Sequence, residues 1–421
     1  MRSTILKSDE IKTTRTLNIF VMYAKKIIQK KMSGLASGCI EIKDEIDVWQ
    51  TDDNHDPDFT IEIHDLRFYL DMLLAGSNGA ASAYRDGYWS CDNLVGLFQL
   101  MVRNLDDTDK LESGLAVLGN WWLRRRHKAR NNTRQGSQKN IQAHYDLGND
   151  MFKLFLDKTM TYSSGIFLDE ESTLEEASVE KLDRICRKLD LQKHHKLIEI
   201  GTGWGSFSIH AAKKYGCHVT TITISEEQYS LAKSRIEENG LTGLIDIRLC
   251  DYRDLIGRFD KLVSVEMIEA VGDEFLPAYF SSCASLLKED GQMLVQAITM
   301  PDQRYKQYLK TSDFIQQFIF PGSCVPSLTA MLDAVAEVTD LRVNHVEDFG
   351  LDYARTLRVW RNNFNARLDE VKSQGYGDDF IRLWVYYLCY CEAGFLERYT
   401  GVIHMLMNKP AFKRGAISST D

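Results

Sequence analysis

Several features that would place a chain in a common class are missing from these 421 residues. No apolar run reaches ~18 residues, so no transmembrane helix is predicted. The N-terminal segment MRSTILKSDEIK has no uninterrupted apolar core before its charges, so no signal peptide is predicted. The net charge of −9 argues against a global attraction of the chain to nucleic acid or to an anionic membrane.

Cysteine and histidine are present, but not in the spacing of a disulfide framework or a metal site. The nine cysteines contain no C-x-x-C pair, and an odd number in a long chain favours a reduced, cytosolic setting. The histidines lack zinc spacing, because His194 and His195 are adjacent and cannot easily share one metal ion. No metal site is therefore predicted.

What the sequence does contain is a glycine-rich turn after a short apolar run. Residues 197–206 read LIEIGTGWGS, in which Glu199 lies near the end of the run and Gly201, Gly203 and Gly205 follow. Glycine allows the backbone to turn sharply and to approach a ligand closely. The E-x-G-x-G-x-G spacing favours the first strand and turn of an S-adenosylmethionine (SAM) methyltransferase over a dinucleotide site, although it also fits a purely structural turn.

Alternating strand and helix patterns follow this turn. Such alternation predicts a parallel, doubly wound α/β sheet with its ligand at the carboxyl ends of the strands. Asp251 and Glu269 both fall just past predicted strand ends. Helical patterns cover 226–239 and 274–288. The predicted strands are 197–200, 218–224, 245–251, 261–267, 291–299, 341–349 and 402–407.

The N-terminal part of the chain has the pattern of a smaller α+β module without obvious catalytic residues. Residues 13–32 predict an amphipathic helix, which either packs on the surface with a solvated lysine face or lies on anionic lipid. A strand at 59–66 and a turn at Gly76–Gly79 follow. The lysines that lie largely off the apolar face are Lys25, Lys26, Lys30 and Lys31.

Residues 121–139, WWLRRRHKARNNTRQGSQK, carry seven Lys and Arg side chains and no acid. Their second half has the composition of a linker. Three interpretations remain open for this stretch. It contacts nucleic acid, it lies at a membrane interface, which suits tryptophan beside basic residues, or it is a solvated linker.

Two stretches have the composition of a cavity or pocket wall, and a third inserts a further helical segment. Residues 380–395 form a helical pattern that is apolar on nearly every side, so this helix is either buried or lines a cavity. Residues 144–167 are rich in aromatic and hydroxyl side chains without a simple period, which is typical of a lid or pocket wall. Residues 301–337 insert a helical stretch and the turn FPGSCVPS.

Several longer motifs together resemble those of the cyclopropane-fatty-acyl-phospholipid synthases, SAM-dependent enzymes that act on unsaturated lipid chains. The combination of HYDLGND, MTYS and EMIEAVG is more specific than a SAM glycine turn, and TSDFIQQFIFPG, DFGLDYARTLRVW and WVYYLCYCEAGF extend it. The resemblance implies an α/β fold with a doubly wound, seven-stranded, Rossmann-like SAM-methyltransferase domain at 141–421. A basic linker at 124–140 and a smaller lipid- and membrane-docking domain at 1–123 would precede it.

The resemblance also implies where SAM binds. The implied contacts, in chain order, are Tyr162, Ser163, Glu199, Gly201, Gly203, Thr223, Gln228, Asp251 and Tyr252. The first two would close over SAM, and the next three would hold its methionine end and backbone. The threonine and glutamine would lie by the ribose, and the last two would flank the adenine.

The resemblance further implies a bicarbonate ion near the reacting carbons, and with it five catalytic residues. Glu269 would hold the ion, Tyr353 would orient it, and Cys391 would lie in the nearby helix. Ser164 stands where the family commonly has cysteine, at a position that acts largely through its backbone. Gln296 stands where a histidine is common; glutamine donates and accepts hydrogen bonds but cannot titrate.

The implied function is transfer of a methylene group from SAM to the cis double bond of an unsaturated phospholipid chain. Its steps would be methyl transfer, a carbocation and bicarbonate-assisted deprotonation. We therefore expect a cytoplasmic enzyme, peripherally bound to the inner face of the membrane through basic residues. No nucleic-acid partner is expected, and a homodimer remains open. Two alternatives remain. The first is a SAM-dependent C- or N-methyltransferase that gives a methyl-branched lipid or a methylated small molecule. The second is a protein that binds lipid or SAM without turnover, which Gln296 and Ser164 motivate.

Overall fold

Two β-sheets organise the computed structural model, which describes residues 19–33, 35, 37–105, 136 and 148–413. One sheet has four strands and forms the N-terminal module, and the other has seven strands and forms the catalytic domain. In chain order, strands β1 to β11 are Ile40–Lys43, Val48–Gln50, Phe59–Ile63, Trp89–Cys91, Lys196–Ile200, His218–Thr223, Ile245–Leu249, Phe259–Val265, Leu287–Thr299, Arg342–Asp348 and Gly401–Asn408.

The seven-stranded sheet has the order β10-β11-β9-β8-β5-β6-β7. Five neighbouring strands, from β9 to β7, are parallel, as the alternating pattern predicts. The predicted parallel order does not extend to β11, which runs antiparallel to both β9 and β10. The helices between β10 and β11 return the chain to the end of the sheet where β10 finishes. Asp348 therefore pairs with Ile403, and β11 runs in the opposite direction.

Helices pack on both faces of this sheet and enclose a separate apolar core on each face. Polar side chains start several of them: Thr173 forms a reciprocal capping box with Glu176, and Ser225 accepts a hydrogen bond from the Gln228 amide. In the described part of the chain, helices α1 to α13 are 19–32, Arg67–Arg85, Leu94–Arg103, Asn149–Lys153, Leu174–Lys188, Ser206–Tyr215, Glu226–Glu238, Leu276–Leu286, Asp302–Tyr308, Leu328–Val338, Gly350–Ala366, Leu368–Ser373 and Asp378–Leu396.

The N-terminal module differs from its prediction in two places. Strands β1 and β2 were not predicted, because they are only four and three residues long and the exposed Val48 breaks any alternation. The turn predicted at Gly76–Gly79 is shorter than predicted. Helix α2 consists of two helical segments that meet at a kink at Gly76, with φ 56° and ψ −132°, a conformation that favours glycine.

Helix α1 buries one face on this module and leaves the other exposed. The prediction of a solvated lysine face is wrong at Lys25, which is buried and donates a hydrogen bond of 3.0 Å to Asp44. Its aliphatic stem lies on the buried face of the helix, and Asp44 compensates the buried charge. Ile19, Phe20 and Tyr23 project from the opposite, exposed face.

Aromatic side chains join the N-terminal module to helix α13 of the catalytic domain. The ring of Tyr386 lies 4.8 Å from that of Phe98, 5.3 Å from that of Tyr84 and 6.5 Å from that of Trp89, measured between centroids. One apolar core therefore continues from the module into the catalytic domain. The module is fixed against the helix whose pattern predicted a cavity wall.

Some predictions fall on residues that the structure does not describe. The basic stretch at 121–139 lies outside the described residues except for Gly136, as do the predicted boundaries at 123/124 and 140/141 and the first part of the helix at 13–32. These boundaries therefore stay predictions. Within the described ranges, no helix is both long enough and apolar enough to cross a membrane.

Candidate active site

The glycine-rich turn lies at the carboxyl end of β5, between β8 and β6. Gly201, Gly203 and Gly205 have φ values of 100°, 52° and 85°, which other residues rarely adopt. A Cβ atom added to Gly203 would meet nothing within 4 Å, so the turn borders open space. Helix α6 begins directly afterwards, and its N-terminal amides face the same edge. This arrangement fits the carboxylate end of SAM.

Glu199 is buried beside this turn, with only 2% of its surface exposed. Its Oε2 atom accepts hydrogen bonds from the Ser208 hydroxyl of α6 and, at 2.6 Å, from the Thr221 hydroxyl of β6. Burial raises the pKa of Glu199 to about 7. Because these bonds tie β5, β6 and α6 together, Glu199 fixes the geometry of the turn; its contact with SAM stays a prediction.

The residues predicted to hold the ribose and adenine lie at the next two strand ends. At the end of β6, Thr223 donates a hydrogen bond of 2.8 Å to the side-chain oxygen of Gln228. Just past β7, Asp251 pairs with Arg253 at 2.6 Å, and Tyr252 is partly buried beside them. The structure thus brings these four predicted residues to the same sheet edge as the glycine-rich turn.

Tyr162 and Ser163 connect the glycine-rich turn with the interior of the catalytic domain. The Tyr162 ring lies 6.4 Å from that of Trp204, which belongs to the turn, and its hydroxyl lies 3.0 Å from that of Tyr387 on α13. The Ser163 hydroxyl accepts a hydrogen bond of 2.6 Å from Lys181, whose pKa burial lowers to about 8. The predicted segment therefore borders the turn on one side and α13 on the other.

A cavity of about 560 Å³ lies between the N-terminal module and the catalytic domain. The prediction that residues 380–395 line an apolar cavity is confirmed, and the 301–337 insert contributes Ile315 and Phe320 to its wall. Glu266 and Glu269 form an acidic part of an otherwise largely apolar lining. The lining residues from α13 and from the N-terminal module include Tyr386, Tyr387, Tyr390, Cys391, Ile61, Leu97, Phe98 and Met101.

Glu266 follows directly after β8, and its carboxylate accepts hydrogen bonds from three of the predicted catalytic residues. Its Oε1 atom accepts hydrogen bonds from the Ser164 backbone N–H at 3.0 Å and from Gln296 Nε2 at 2.7 Å. Its Oε2 atom accepts one from the Tyr353 hydroxyl at 2.6 Å. Glu266 has a positive φ of 46°, a strained conformation of the kind that clusters at functional sites.

Glu269 lines the same cavity three residues further along the chain. Its Oε1 atom accepts a hydrogen bond of 2.5 Å from the Ile298 N–H, and its Oε2 atom has no hydrogen-bond partner among the described residues. Burial, together with the charge of Glu266, raises the pKa of Glu269 to about 8. Burial raises the pKa of Glu266 too, but its hydrogen bonds with Tyr353, Ser164 and Gln296 oppose that rise and favour the carboxylate. With its pKa near 8, Glu269 is mainly protonated at neutral pH.

Cys391 lies on α13 and contributes its side chain to the cavity wall. Burial raises the pKa of its thiol far above the usual range, so the thiol is uncharged at neutral pH. It therefore serves the cavity as a small apolar surface.

A buried chain of polar groups lies behind Gln296. His404 Nε2 is 3.0 Å from Gln296 Oε1, and His404 Nδ1 is 3.2 Å from Lys188 Nζ, which also binds Glu347. Because lysine only donates, His404 accepts at Nδ1 and donates at Nε2. The Gln296 amide is thereby oriented with its NH₂ group towards Glu266.

Sequence reasoning missed Glu266, His404 and Lys188. Glu266 stands in the motif EMIEAVG, where attention falls on Glu269, and the available local signal is a pair of glutamates just past a strand end. His404 and Lys188 are 108 and 108 residues from Gln296 in opposite directions. No local pattern therefore connects them to the site.

The glycine-rich turn, the polar strand ends and the adjoining apolar cavity define a SAM-dependent methyltransferase with an apolar acceptor site. The chain belongs to the family described as mycolic acid cyclopropane synthetase, whose model matches residues 132–405. It is thus an enzyme of the cyclopropane-synthase type, and SAM is its cofactor.

Two relatives cover most of the chain. The chain is 38% identical over 339 residues to tuberculostearic acid methyltransferase UfaA1 of Mycobacterium tuberculosis, covering 78% of each protein. It is 34% identical over 341 residues to cyclopropane-fatty-acyl-phospholipid synthase of Escherichia coli K12, covering 80% of this chain and 85% of the relative. These names include both a methyltransferase and a ring-forming synthase.

Solved structures support the same fold. Mycolic acid cyclopropane synthase CmaA1 in complex with SAH and CTAB has a TM-score of 0.61 and 30% identity, covering 65% of this chain and 98% of that one. Cyclopropane synthase MmaA2 of Mycobacterium tuberculosis has a TM-score of 0.60 and 28% identity, with the same coverage. Coclaurine N-methyltransferase, at 18% identity and a TM-score of 0.58, shows a likeness of fold alone.

Proposed function

We propose that the enzyme methylates the cis double bond of an unsaturated phospholipid acyl chain and closes the product to a cyclopropane ring. One observation carries the proposal: a largely apolar cavity of about 560 Å³ contains Glu266 and Glu269 and is bordered by Tyr162, which also contacts the glycine-rich turn. A cavity of this kind buries most of an alkyl chain. Relatives named for cyclopropane synthesis on phospholipid and mycolic acid support the same class of acceptor.

The residues around the cavity suit the attack of an alkene, a weak nucleophile that needs a dry and aligned site. SAM, when bound, supplies the electrophilic methyl group. The rings of Tyr162 and Tyr387 and the uncharged Cys391 keep the acceptor space poor in water. Positive charge then develops on the lipid, and the carboxylate of Glu266 on the cavity wall stabilises it.

Ring closure requires removal of a proton from the new methyl group by a general base. The bicarbonate ion that the resemblance implies does not fit the described residues. Ser164, Gln296 and Tyr353 already donate their hydrogen bonds to Glu266. No step of the proposed reaction therefore passes through bicarbonate.

The proposal is tested by incubating the protein with methyl-labelled SAM and vesicles of monounsaturated phospholipid. The expected product is a labelled acyl chain that is heavier by one CH₂ unit and resists hydrogenation. Heat-inactivated protein and vesicles of saturated phospholipid are the controls. Absence of label from every lipid, with SAM binding intact by calorimetry, would reject lipid methylation and favour a binding protein.

A second product is supported by one relative. A tuberculostearic acid methyltransferase is 38% identical to this chain, and a base placed differently against the same cation would give a methylated alkene instead of a ring. NMR of the labelled lipid separates the two outcomes. Cyclopropane protons support ring closure, whereas an olefinic signal on a methylated carbon supports the branched product.

We further propose that helix α1 docks the enzyme peripherally on the inner face of the membrane. Ile19, Phe20 and Tyr23 are 65%, 60% and 64% exposed, while Ile28 and Lys31 of the same helix line the cavity. An exposed apolar patch on a helix that reaches the cavity supports contact with lipid, and the lysine favours anionic headgroups.

Replacing the two exposed rings tests this docking. Phe20→Ser with Tyr23→Ser should weaken binding to anionic phospholipid vesicles about 30-fold or more, since each buried ring contributes ~1–2 kcal/mol. Leu168→Ser removes a side chain that is 68% exposed on the catalytic domain and is the matched control. Equal loss of vesicle binding in both proteins would reject the assigned face.

A further inference from the structure

We propose that the carboxylate of Glu266 takes the place of the bicarbonate ion in this enzyme and is itself the base that accepts the proton. The inference rests on the proposed function, because it assigns a residue to the deprotonation step. Its observable consequence is turnover that does not depend on dissolved bicarbonate.

The first argument is that the hydrogen-bond donors at the predicted bicarbonate site already bind Glu266. Ser164 N–H, Gln296 Nε2 and the Tyr353 hydroxyl come from positions at which the resemblance implies the bicarbonate cage. All three donate to Glu266, at 3.0, 2.7 and 2.6 Å. A carboxylate and a bicarbonate ion present the same pair of oxygens on one carbon, so the side chain satisfies the same donors.

The second argument is that no comparable donor set is left for another anion. Among the described residues beside this pair of acids, the Ile298 N–H is bonded to Glu269. A bicarbonate ion would therefore lie against the Glu266 carboxylate with the protonated Glu269 as a single donor in place of three. Burying an uncompensated anion next to another is costly, because both charges lose water and repel each other.

The third argument is that both departures from the family pattern touch Glu266. Ser164 contributes only its backbone N–H, since its hydroxyl donates to the Gly165 carbonyl at 2.9 Å. Gln296 contributes an uncharged amide that His404 holds in one orientation. A side-chain carboxylate needs neither a thiol nor a titratable histidine, so one residue accounts for both changes.

The proton transfer balances without a further reagent. The π electrons of the lipid double bond form a C–C bond to the methyl carbon of SAM, the C–S bond breaks with its electron pair left on the sulfur of S-adenosylhomocysteine, and a cation remains at the neighbouring lipid carbon. A Glu266 oxygen then takes a proton from the new methyl group, and the electrons of that C–H bond form the second C–C bond of the ring. Glu266 becomes a neutral acid and returns the proton to water before the next turnover. Tyr353 and Gln296 position the carboxylate for this step.

The first experiment uses the unaltered enzyme. Lipid methylation is measured in buffer freed of carbon dioxide under nitrogen and again after addition of sodium bicarbonate. We expect the two rates to agree within about twofold. A rate that falls about tenfold or more without bicarbonate and returns on its addition would overturn the inference while leaving lipid methylation intact.

Two substitutions at the same position sharpen the test. Glu266→Gln keeps the size of the side chain but removes the base, and we expect kcat to fall about 10²–10⁴-fold, as for other general bases. Glu266→Gly suits the positive φ and empties the anion position. It should lose the same activity and regain at least about tenfold of it on addition of bicarbonate or formate, whereas Glu266→Gln should not recover.

Further measurements keep the outcomes distinct. SAM affinity by calorimetry and the thermal midpoint establish that each variant is folded, and Glu274→Gln, at an exposed glutamate, is the control for the loss of one acid. Wild-type turnover in Glu266→Gln would overturn the assignment. Failure of the wild-type protein to label any lipid would reject the proposed function and this inference with it.

Discussion

The two halves of the active site are built in different ways. The SAM half comes from the ends of three neighbouring strands and the glycine-rich turn, whose hydrogen bonds lie between adjacent elements. The acceptor half draws on distant segments: Glu266 binds partners 102, 30 and 87 residues away. The predicted SAM site is therefore a local frame, whereas the proposed site of the cation consists of side chains that only the complete fold brings together.

The largest expected effect is a loss of folding stability when the SAM half is altered. Glu199→Ala should lower the free energy of unfolding by about 3 kcal/mol, because the buried hydroxyls of Ser208 and Thr221 lose their acceptor. SAM affinity should fall with it. Chemical denaturation and calorimetry measure the two quantities, and Glu199→Gln, which keeps an acceptor, should lose less. Unchanged stability in the alanine variant would contradict a structural role for Glu199.

In the acceptor half, Tyr353→Phe should reduce kcat about 30-fold while leaving SAM affinity unchanged. The substitution removes a hydrogen bond to a charged group, worth ~2 kcal/mol, from the Oε2 atom of Glu266. Steady-state kinetics and calorimetry check the two statements. Tyr390→Phe, which changes a hydroxyl elsewhere in the cavity wall, is the matched control. Loss of SAM binding in Tyr353→Phe would contradict the assignment of Tyr353 to the acceptor half alone.

An intermediate effect, on the KM for lipid alone, is expected when the acyl cavity is made smaller. Met101 belongs to the N-terminal module and lines the cavity. Met101→Trp should raise the KM for long-chain phospholipid about tenfold by occupying space, since extra volume in a packed site costs ~1–3 kcal/mol. Met101→Leu keeps the volume and should behave as wild type. Equal kinetics in the two variants would mean that the module does not enclose the acyl chain.

The smallest effect near neutral pH is expected at Glu269. Its pKa is raised from 4.5 to about 8, so its stabilising contribution is complete below pH 4.5 and is lost as the pH rises through 8. Turnover should fall over the same alkaline range, as a second charge forms beside Glu266. Glu269→Gln mimics the neutral acid and should flatten both profiles above pH 7. An unchanged alkaline loss in the variant would assign that loss to another group.

How well each half could be predicted from the sequence depends on how close its residues lie along the chain. The buried strands carry runs of apolar and β-branched residues, so 197–200 and 218–224 were predicted within a residue of Lys196–Ile200 and His218–Thr223. The glycine-rich turn was visible because its glycines are adjacent in sequence. The kink at Gly76 was not, since a glycine in a helical pattern also fits a turn.

The acid cluster marks the limit of that reasoning. Tyr353, Gln296 and Ser164 were assigned to the site through resemblance, and the structure brings them together. Their common partner, Glu266, was missed because no local pattern reveals which of two nearby glutamates meets them. The buried charge of Lys25 was missed for the same reason, as its partner Asp44 lies on another element.

The left-handed backbone at Glu266 has an evolutionary consequence. Glycine is the residue that suits such a backbone best, and every glutamate codon becomes a glycine codon through one nucleotide change. A gene that encodes Glu266 and one that encodes glycine at this position therefore differ by one nucleotide, and the same backbone conformation accommodates both residues. On the proposed role of Glu266, a single such change would replace a base of the protein with an anion taken from solution.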